Sequence, residues 1–294
     1  MLEYQLTQFH IEAARNSTDD FNLFHDKKRW NWIHNNPFDG PIALGFQLGC
    51  FIETQLQALS QHESVDATDY PFSVFELTYA GVVRPGDKLH LDAKPGKNSM
   101  LQGGRCHSNR LLLKANNKAV ILGFKRRSEV NPIVVNDAIP AGIDWGLRAD
   151  RSFDQGSGCF LKRKYMIVGN AKNFLTSAFA EQSEYIDEFA DKVCFPQMYP
   201  MSLLSSALLE RAQAIGHDLI KNPMIYASHK LSIDQKQLNQ LRSNDVLNIV
   251  VSPELEIAGS DNKVSHLCVG YVKENVPLFS AQIVLLPLSS LLNK

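Results

Sequence analysis

The stretch from Pro41 to Leu59, PIALGFQLGCFIETQLQAL, constrains this chain more than any other. Ile42, Leu44, Phe46, Leu48, Phe51, Ile52, Leu56 and Leu59 recur at helical spacing and leave almost no polar face. A helix apolar on nearly every side has to be enclosed. Pro41 suits a first helical turn. Gly45 and Gly49 weaken the helix, which points to close approach of backbone or ligand.

What encloses the helix follows it in the chain. Residues 72–83 alternate and carry Val74, Phe75, Leu77, Tyr79 and Val82. Arg84-Pro85-Gly86-Asp87 reads as a turn by its Pro-Gly pair. Further strands fit residues 88–94, 99–107, 110–115 and 118–126, with a hairpin at Ala115-Asn116-Asn117-Lys118. One buried helix and then an antiparallel meander is an α+β pattern.

Residues 128–158 break that pattern with Pro132, Pro140, Gly142, Gly146, Gly156 and Gly158. The order then repeats. Residues 160–168 fit a strand. Residues 200–215 fit a helix with Met201, Leu203, Leu204, Ala207, Leu208 and Ala212 on its buried stripe. Strands fit 224–233, 245–252, 264–272 and 278–286. The repeat has an offset of about 158 residues. It sets Phe38 against Phe195, Pro41 against Pro200, and Gly86-Asp87-Lys88-Leu89 against Asn244-Asp245-Val246-Leu247. The expected organisation is therefore two halves, 1–130 and 159–294, joined by a linker over 131–158.

Composition removes several function classes. Net charge is −1 over 294 residues, which leaves no basic footprint for nucleic acid. No apolar run reaches the length of a membrane span, and MLEYQLTQFH has no secretory pattern. The five cysteines, Cys50, Cys106, Cys159, Cys194 and Cys268, are scattered and form no CxxC pair. Reduced thiols in a cytoplasm are expected, with no metal and no cofactor.

The chemistry gathers in Asp19-Asp20-Phe21-Asn22-Leu23-Phe24-His25, read with Phe38-Asp39-Gly40-Pro41-Ile42-Ala43-Leu44-Gly45. Ser, Asp and Asn crowd residues 16–22, so the first piece reads as a loop. A loop can aim Asp20 and His25 at one water, which makes a general acid/base pair. The opening turn of a helix beside them offers free N–H groups to a developing oxyanion. The competing reading is a loop whose side chains cap their own backbone, with His25 as a partner. For Asp19 alone that reading is the better one. Trp30 and Trp32 are expected to pack under the loop. His34, His90, His107 and His229 are read as exposed or satisfied. Ser17 lacks the strained Gly-x-Ser-x-Gly turn of a nucleophile.

DDFNLFH followed by FDGPIALG resembles the signature of the MaoC-like, (R)-specific enoyl-CoA hydratases. Asp20, Asn22 and His25 fall on its polar positions, and Pro41, Ile42 and Gly45 on its helix start. Leu23 stands where that family has Pro, and Leu44 where it has His. VVRPGDKLHLD is similar to the same family's Pro-x-x-x-Gly-Asp-x-Leu region. The resemblance implies a double hot-dog: two antiparallel curved sheets, each wrapped around one central helix. Two halves in one chain would imitate the dimer of single-domain members, with a further homodimer left open. It implies hydration of a trans-2-enoyl thioester of coenzyme A or acyl carrier protein, or the reverse dehydration. Asp20, His25 and the Gly45 N–H would be catalytic; Asn22, Gly40 and Ile42 would meet the substrate. The alternatives are a hot-dog thioesterase and a non-catalytic acyl-thioester binder. The repeat sets Ser177 opposite Asp20 and Gln182 opposite His25, so one live site per chain is expected.

Overall fold

In the computed structural model, residues 4–60, 69–135, 138–257, 259 and 262–292 are described. The first half opens with strand β1 (Tyr4–Gln5) and helix α1 (Gln8–Thr18), then the buried helix α2 (Gly45–Ser60). Strands β2 (Phe72–Tyr79), β3 (Lys88–Ala93), β4 (Lys97–Leu101), β5 (Gly104–Ala115) and β6 (Lys118–Ser128) follow. After the crossing come β7 (Ser152–Phe153), β8 (Phe160–Tyr165) and α3 (Val168–Ser177). The short strands β9 (Ile186–Asp187) and β10 (Lys192–Val193) lead into α4 (Met198–Ser202) and α5 (Leu204–Ala214). The chain closes with β11 (Met224–Asp234), α6 (Gln235–Gln240), β12 (Val246–Val251), β13 (Leu255–Glu256), β14 (Val264–Val272), β15 (Val276–Pro287) and α7 (Ser289–Leu292).

One antiparallel sheet runs through the molecule in the order β1-β3-β5-β6-β2-β11-β15-β14-β12-β8-β7, with β4 against β5 and β13 against β14. The seam between the halves is β2 against β11, where Phe75 faces Leu231. A meander of either half alone would end in an open edge there; pairing the two edges removes it. The core between sheet and helices includes Phe46, Phe51 and Ile52 of α2, Leu204 and Ala207 of α5, and Phe75, Leu77, Leu231 and Ile283 of the sheet. α1 packs against α3, and α2 against α4. At that last crossing a Cβ on Gly49 would come within 2.8 Å of the Met198 side chain. Glu53 of α2, itself buried, accepts the N–H groups of Gln197 and Met198 at 2.7 and 2.9 Å.

The turns repeat atom by atom. Gly86 N–H donates to Leu6 O, and Leu6 N–H to Asp87 O. In the other half Asn244 N–H donates to Met166 O, and Met166 N–H to Asp245 O. Asp87 and Asp245 each accept an N–H, from Arg84 and Arg242 respectively. These bonds set Asp87 against Asp245 as the repeat in the sequence does, but Leu6 against Met166, two residues further on.

Several local expectations shift. α2 begins at Gly45 and not at Pro41, because the Ile42 and Ala43 N–H groups are taken by Phe24 O and Val83 O in an extended segment. The strands expected at 99–107 and 110–115 are instead β4 and one long β5, since Gln102 and Gly103, at φ 48° and 86°, make the hairpin turn. α3 and α6 were not expected. Residues 131–158 do more than connect: Ile133, Ile139, Ile143 and Trp145 are buried against Leu161, Val250, Leu267 and Val269. Those four strand residues alternate with Phe160, Ile249, Val251 and Cys268 of the main core, so the segment covers the other face of this sheet. The five cysteines are free thiols. No helix of the described residues is long and apolar enough to cross a membrane.

Candidate active site

α1 ends in a left-handed residue, Asp19 at φ 54°, whose carboxylate pairs with Lys164 of the other half at 3.0 Å. Asp20 N–H returns to Arg15 O, and Arg15 Nε donates to Asp20 O at 3.0 Å. Arg15 also pairs with Asp26 at 3.0 Å, which fastens both ends of the loop. The Asp26 carboxyl is lowered to about 2 by backbone N–H groups and the Arg29 and Arg15 guanidiniums, which outweigh its burial.

Asp20 is 3% exposed, and its two oxygens have different surroundings. Oδ1 accepts Asn22 N–H at 2.8 Å. Asn22 Oδ1 in turn accepts Phe24 N–H at 3.1 Å, capping the short turn Leu23–His25. Backbone capping thus accounts for one Asp20 oxygen and for the Asn22 side-chain oxygen. The other Asp20 oxygen, Oδ2, accepts the Ser205 hydroxyl at 2.5 Å and lies 3.9 Å from His25 Nε2.

His25 is fixed from its far side. Its Nδ1 lies 2.8 Å from Ile42 O, which can only accept, so Nδ1 carries the hydrogen. Nε2 is then a free lone pair in the neutral ring. Burial lowers the His25 pKa below its ordinary value, against the opposing pull of Asp20 and the Ile42 carbonyl. A neutral ring with its lone pair toward Asp20 Oδ2 is a base. A water about 2.8 Å from both atoms would see them roughly 90° apart, close to the angle between its own hydrogens.

His25 and Ser205, the two neighbours of Asp20 Oδ2, line a cavity of about 580 Å³ between the halves; Asp20 itself does not line it. Asn22, His25, Ile42, Gly45 and Tyr79 line one side; Ser205, Leu208, Leu209, Ala212 and Tyr226 line the other. Gly45 opens α2, and its N–H meets no acceptor among the described residues. A Cβ there would lie 2.7 Å from Tyr79 Oη and would displace that ring. Gly40 does not line the cavity. Its φ of 147° is a backbone conformation that favours glycine.

Four residues of this site were not singled out from the sequence. Ser205 donates to Asp20, and its oxygen lies 3.0 Å from the Tyr226 hydroxyl. Tyr79 Oη lies 2.9 Å from Nδ1 of His229, which is buried and satisfied on that side. One signal existed: Ser202, Ser205 and Ser206 interrupt an apolar helix, and a buried hydroxyl must find an acceptor. Ser202 and Ser206 donate to carbonyls three residues back; Ser205 reaches across the molecule. Trp32, expected under the loop, is 57% exposed, with the Arg29 guanidinium over its ring.

The other half has no such pair. Phe179 is the left-handed residue after α3, and Ala180 N–H returns to Leu175 O as Asp20 N–H does to Arg15 O. Glu181 caps the next turn as Asn22 does. The counterparts of Asp20 and His25 are therefore Ala180 and Glu184, not Ser177 and Gln182. A second cavity, of about 690 Å³, opens beside Glu184 and Tyr185 and is lined by Glu53, Ser73, Lys125 and Gln197. Burial pushes the Glu53 carboxyl up and the Lys125 ammonium down. Among the described residues no group of His, Cys, Asp and Glu could hold a metal ion.

The sequence matches no protein-family model and no curated protein. Solved structures do match. A MaoC-like dehydratase from Phytophthora capsici is 13% identical, with 98% of this chain and 94% of that one covered at a TM-score of 0.60. A Mycobacterium tuberculosis protein described as having a double hotdog fold is 13% identical, with 97% and 94% covered at 0.60. The chain has the double hot-dog fold. The full-length peroxisomal multifunctional enzyme type 2 of Drosophila melanogaster contains a similar region: 10% identity, 97% of this chain against 48% of that one, at a TM-score of 0.55. In this double hot-dog the cavity of the first half is walled by the second half's helix α5 and strand β11.

Proposed function

We propose that this double hot-dog protein is an (R)-specific hydratase of trans-2-enoyl thioesters, or a dehydratase of 3-hydroxyacyl thioesters, using coenzyme A or acyl carrier protein as carrier. One observation carries the reading: Asp20 Oδ2 and His25 Nε2 lie 3.9 Å apart, and His25 lines an apolar cavity. Asp20 orients a water, and His25 Nε2 takes its proton as the oxygen bonds to C3. The C2–C3 electrons move to the thioester oxygen, where the Gly45 N–H and the open end of α2 receive the charge. The proton held on His25 Nε2 then passes to C2, which restores the thioester and returns the ring to its neutral form. Ser205 and the Asn22 N–H hold Asp20 in place, while Leu208, Leu209 and Ala212 accept the acyl chain.

A thioesterase needs water aimed at the carbonyl carbon, and a lone carboxylate suffices for that. The paired base and carboxylate favour addition to C3. The test is incubation with a short trans-2-enoyl-CoA, following enoyl absorbance and free thiol together. Loss of absorbance without thiol release is expected. Thiol release would make the protein a thioesterase, and binding without either change would make it an acyl-thioester binder.

A further inference from the structure

A hydroxyl stands beside the Gly45 N–H, and the mechanism above does not use it. Tyr79 lies at the end of β2 and lines the cavity. Its Oη is 2.7 Å from where a Cβ on Gly45 would be, so hydroxyl and helix opening share one corner of the cavity. Behind it, Oη meets Nδ1 of His229 at 2.9 Å. His229 is 1% exposed, stacked on Phe46 at 4.5 Å and flanked by the Tyr226 ring at 4.4 Å. Its Nε2 has no hydrogen-bond partner among the described residues.

Two proton arrangements fit this pair. If Tyr79 donates to Nδ1, the ring hydrogen sits on Nε2 with no acceptor. An orphaned buried N–H is rarer and costlier than an acceptor left short. If Nδ1–H donates to Oη, only the Nε2 lone pair lacks a partner, and the tyrosine hydrogen turns toward the cavity. Charge forming on the cavity side selects this second arrangement. Neither group changes charge near neutrality: burial pushes His229 down to about 3, and burial with the neighbouring Tyr226 pushes the Tyr79 hydroxyl up. The Tyr226 hydroxyl is already engaged with Ser205.

We propose that the Tyr79 hydroxyl, with its hydrogen directed into the cavity by His229, donates a hydrogen bond to the thioester oxygen alongside the Gly45 N–H. This rests on the acyl-thioester reading above and adds a side-chain donor to a site otherwise supplied by one backbone group. A donor aimed at a developing oxyanion is worth about 10²–10³ in turnover.

The test separates this role from packing and from the hydratase reading. trans-Cinnamoyl-CoA is bound to the full chain, and the red shift of its absorbance reports polarisation of the carbonyl; hydration of a short enoyl-CoA is followed separately. Tyr79→Phe is expected to bind cinnamoyl-CoA with little change, lose most of the red shift, and lower kcat about 10²-fold with KM nearly constant. His229→Phe, which cannot donate to Oη, should retain an intermediate shift. Should Tyr79→Phe fail to fold, 3,5-difluorotyrosine at position 79, a stronger donor of nearly the same shape, should enlarge the shift. A wild-type red shift in Tyr79→Phe or in the fluorinated protein overturns the proposal. A wild type that hydrates enoyl-CoA while Tyr79→Phe keeps the shift leaves the hydratase reading standing and removes Tyr79. A shift that depends on Tyr79 in a protein that never hydrates removes the hydratase reading and keeps the donor.

Discussion

Asp20 shows how little of a residue's role its identity settles. One oxygen caps the loop through Asn22 N–H, and the other meets Ser205 and faces His25. Asp20→Asn keeps the size of the loop and much of its capping. It should lower kcat by about 10²–10⁴ while a saturated acyl-CoA binds as before. A folded Asp20→Asn protein with normal hydration would sink the mechanism. His25 supplies a pH test. Its pKa is lowered by burial, and the base form is the active one. Turnover should therefore fall only below about pH 6.5, as Nε2 takes a proton, and stay flat above. His25→Ala should remove this acid limb along with most of the rate. A limb centred well above pH 6.5 would contradict the assignment.

Among the elements, α5 completes a site whose motif lies in the other half. Ser205→Ala leaves the Tyr226 hydroxyl without that partner and lets Asp20 Oδ2 turn. One such hydrogen bond is worth about 1.4 kcal/mol, so kcat should drop about tenfold with KM little changed. An unchanged kcat would mean the second half is only a wall. At the α2–α4 crossing, Glu53→Ala removes the acceptor of two N–H groups and a carboxyl that opposes the fall of the Lys125 pKa. Urea unfolding should show a loss of roughly 1–3 kcal/mol. A variant as stable as wild type would show that water replaces the carboxylate. The seam strands β2 and β11 bring Tyr79 and His229 together, 150 residues apart in sequence.

For the whole molecule, buried neutral histidines should make stability depend on pH. His25, His229 and His266 all have pKa values lowered chiefly by burial. The unfolded chain takes up these protons first. Their contribution is complete above about pH 6.5 and is lost as pH falls toward the folded values. For His229, lowered to about 3, the loss by pH 5 is about 2 kcal/mol. Glu53, raised by burial, acts in the opposite sense, so the measurement is a difference. Between pH 7 and 5, wild type should lose more stability than His229→Gln; equal slopes would refute the assignment. The asymmetry of the halves has its own test. With Ala180 and Glu184 in the second half's positions, a tight enoyl-CoA analogue should titrate one site per chain, and two equal sites would contradict this.

The buried helix, the meander and their repetition were legible because apolar period and turn residues are local properties. The Asp20–Asn22–His25 motif was legible for the same reason: it lies on one short loop. Its context was not. The helix start moved to Gly45 because two N–H groups found acceptors in distant segments. The internal register of the second half differs from the sequence offset by three residues at Asp20 and two at His25, which replaced Ser177 and Gln182 by Ala180 and Glu184 as counterparts. Ser205, Tyr226, Tyr79 and His229 come from three separate elements, and beyond the serines that interrupt an apolar helix nothing in their neighbours in the chain marks them. Sequence alone determined which surfaces must be buried and where a base could be presented. Tertiary structure decided which oxygen of Asp20 faces that base and which groups surround both. Those contacts depend on packing one half against the other, which local pattern does not encode.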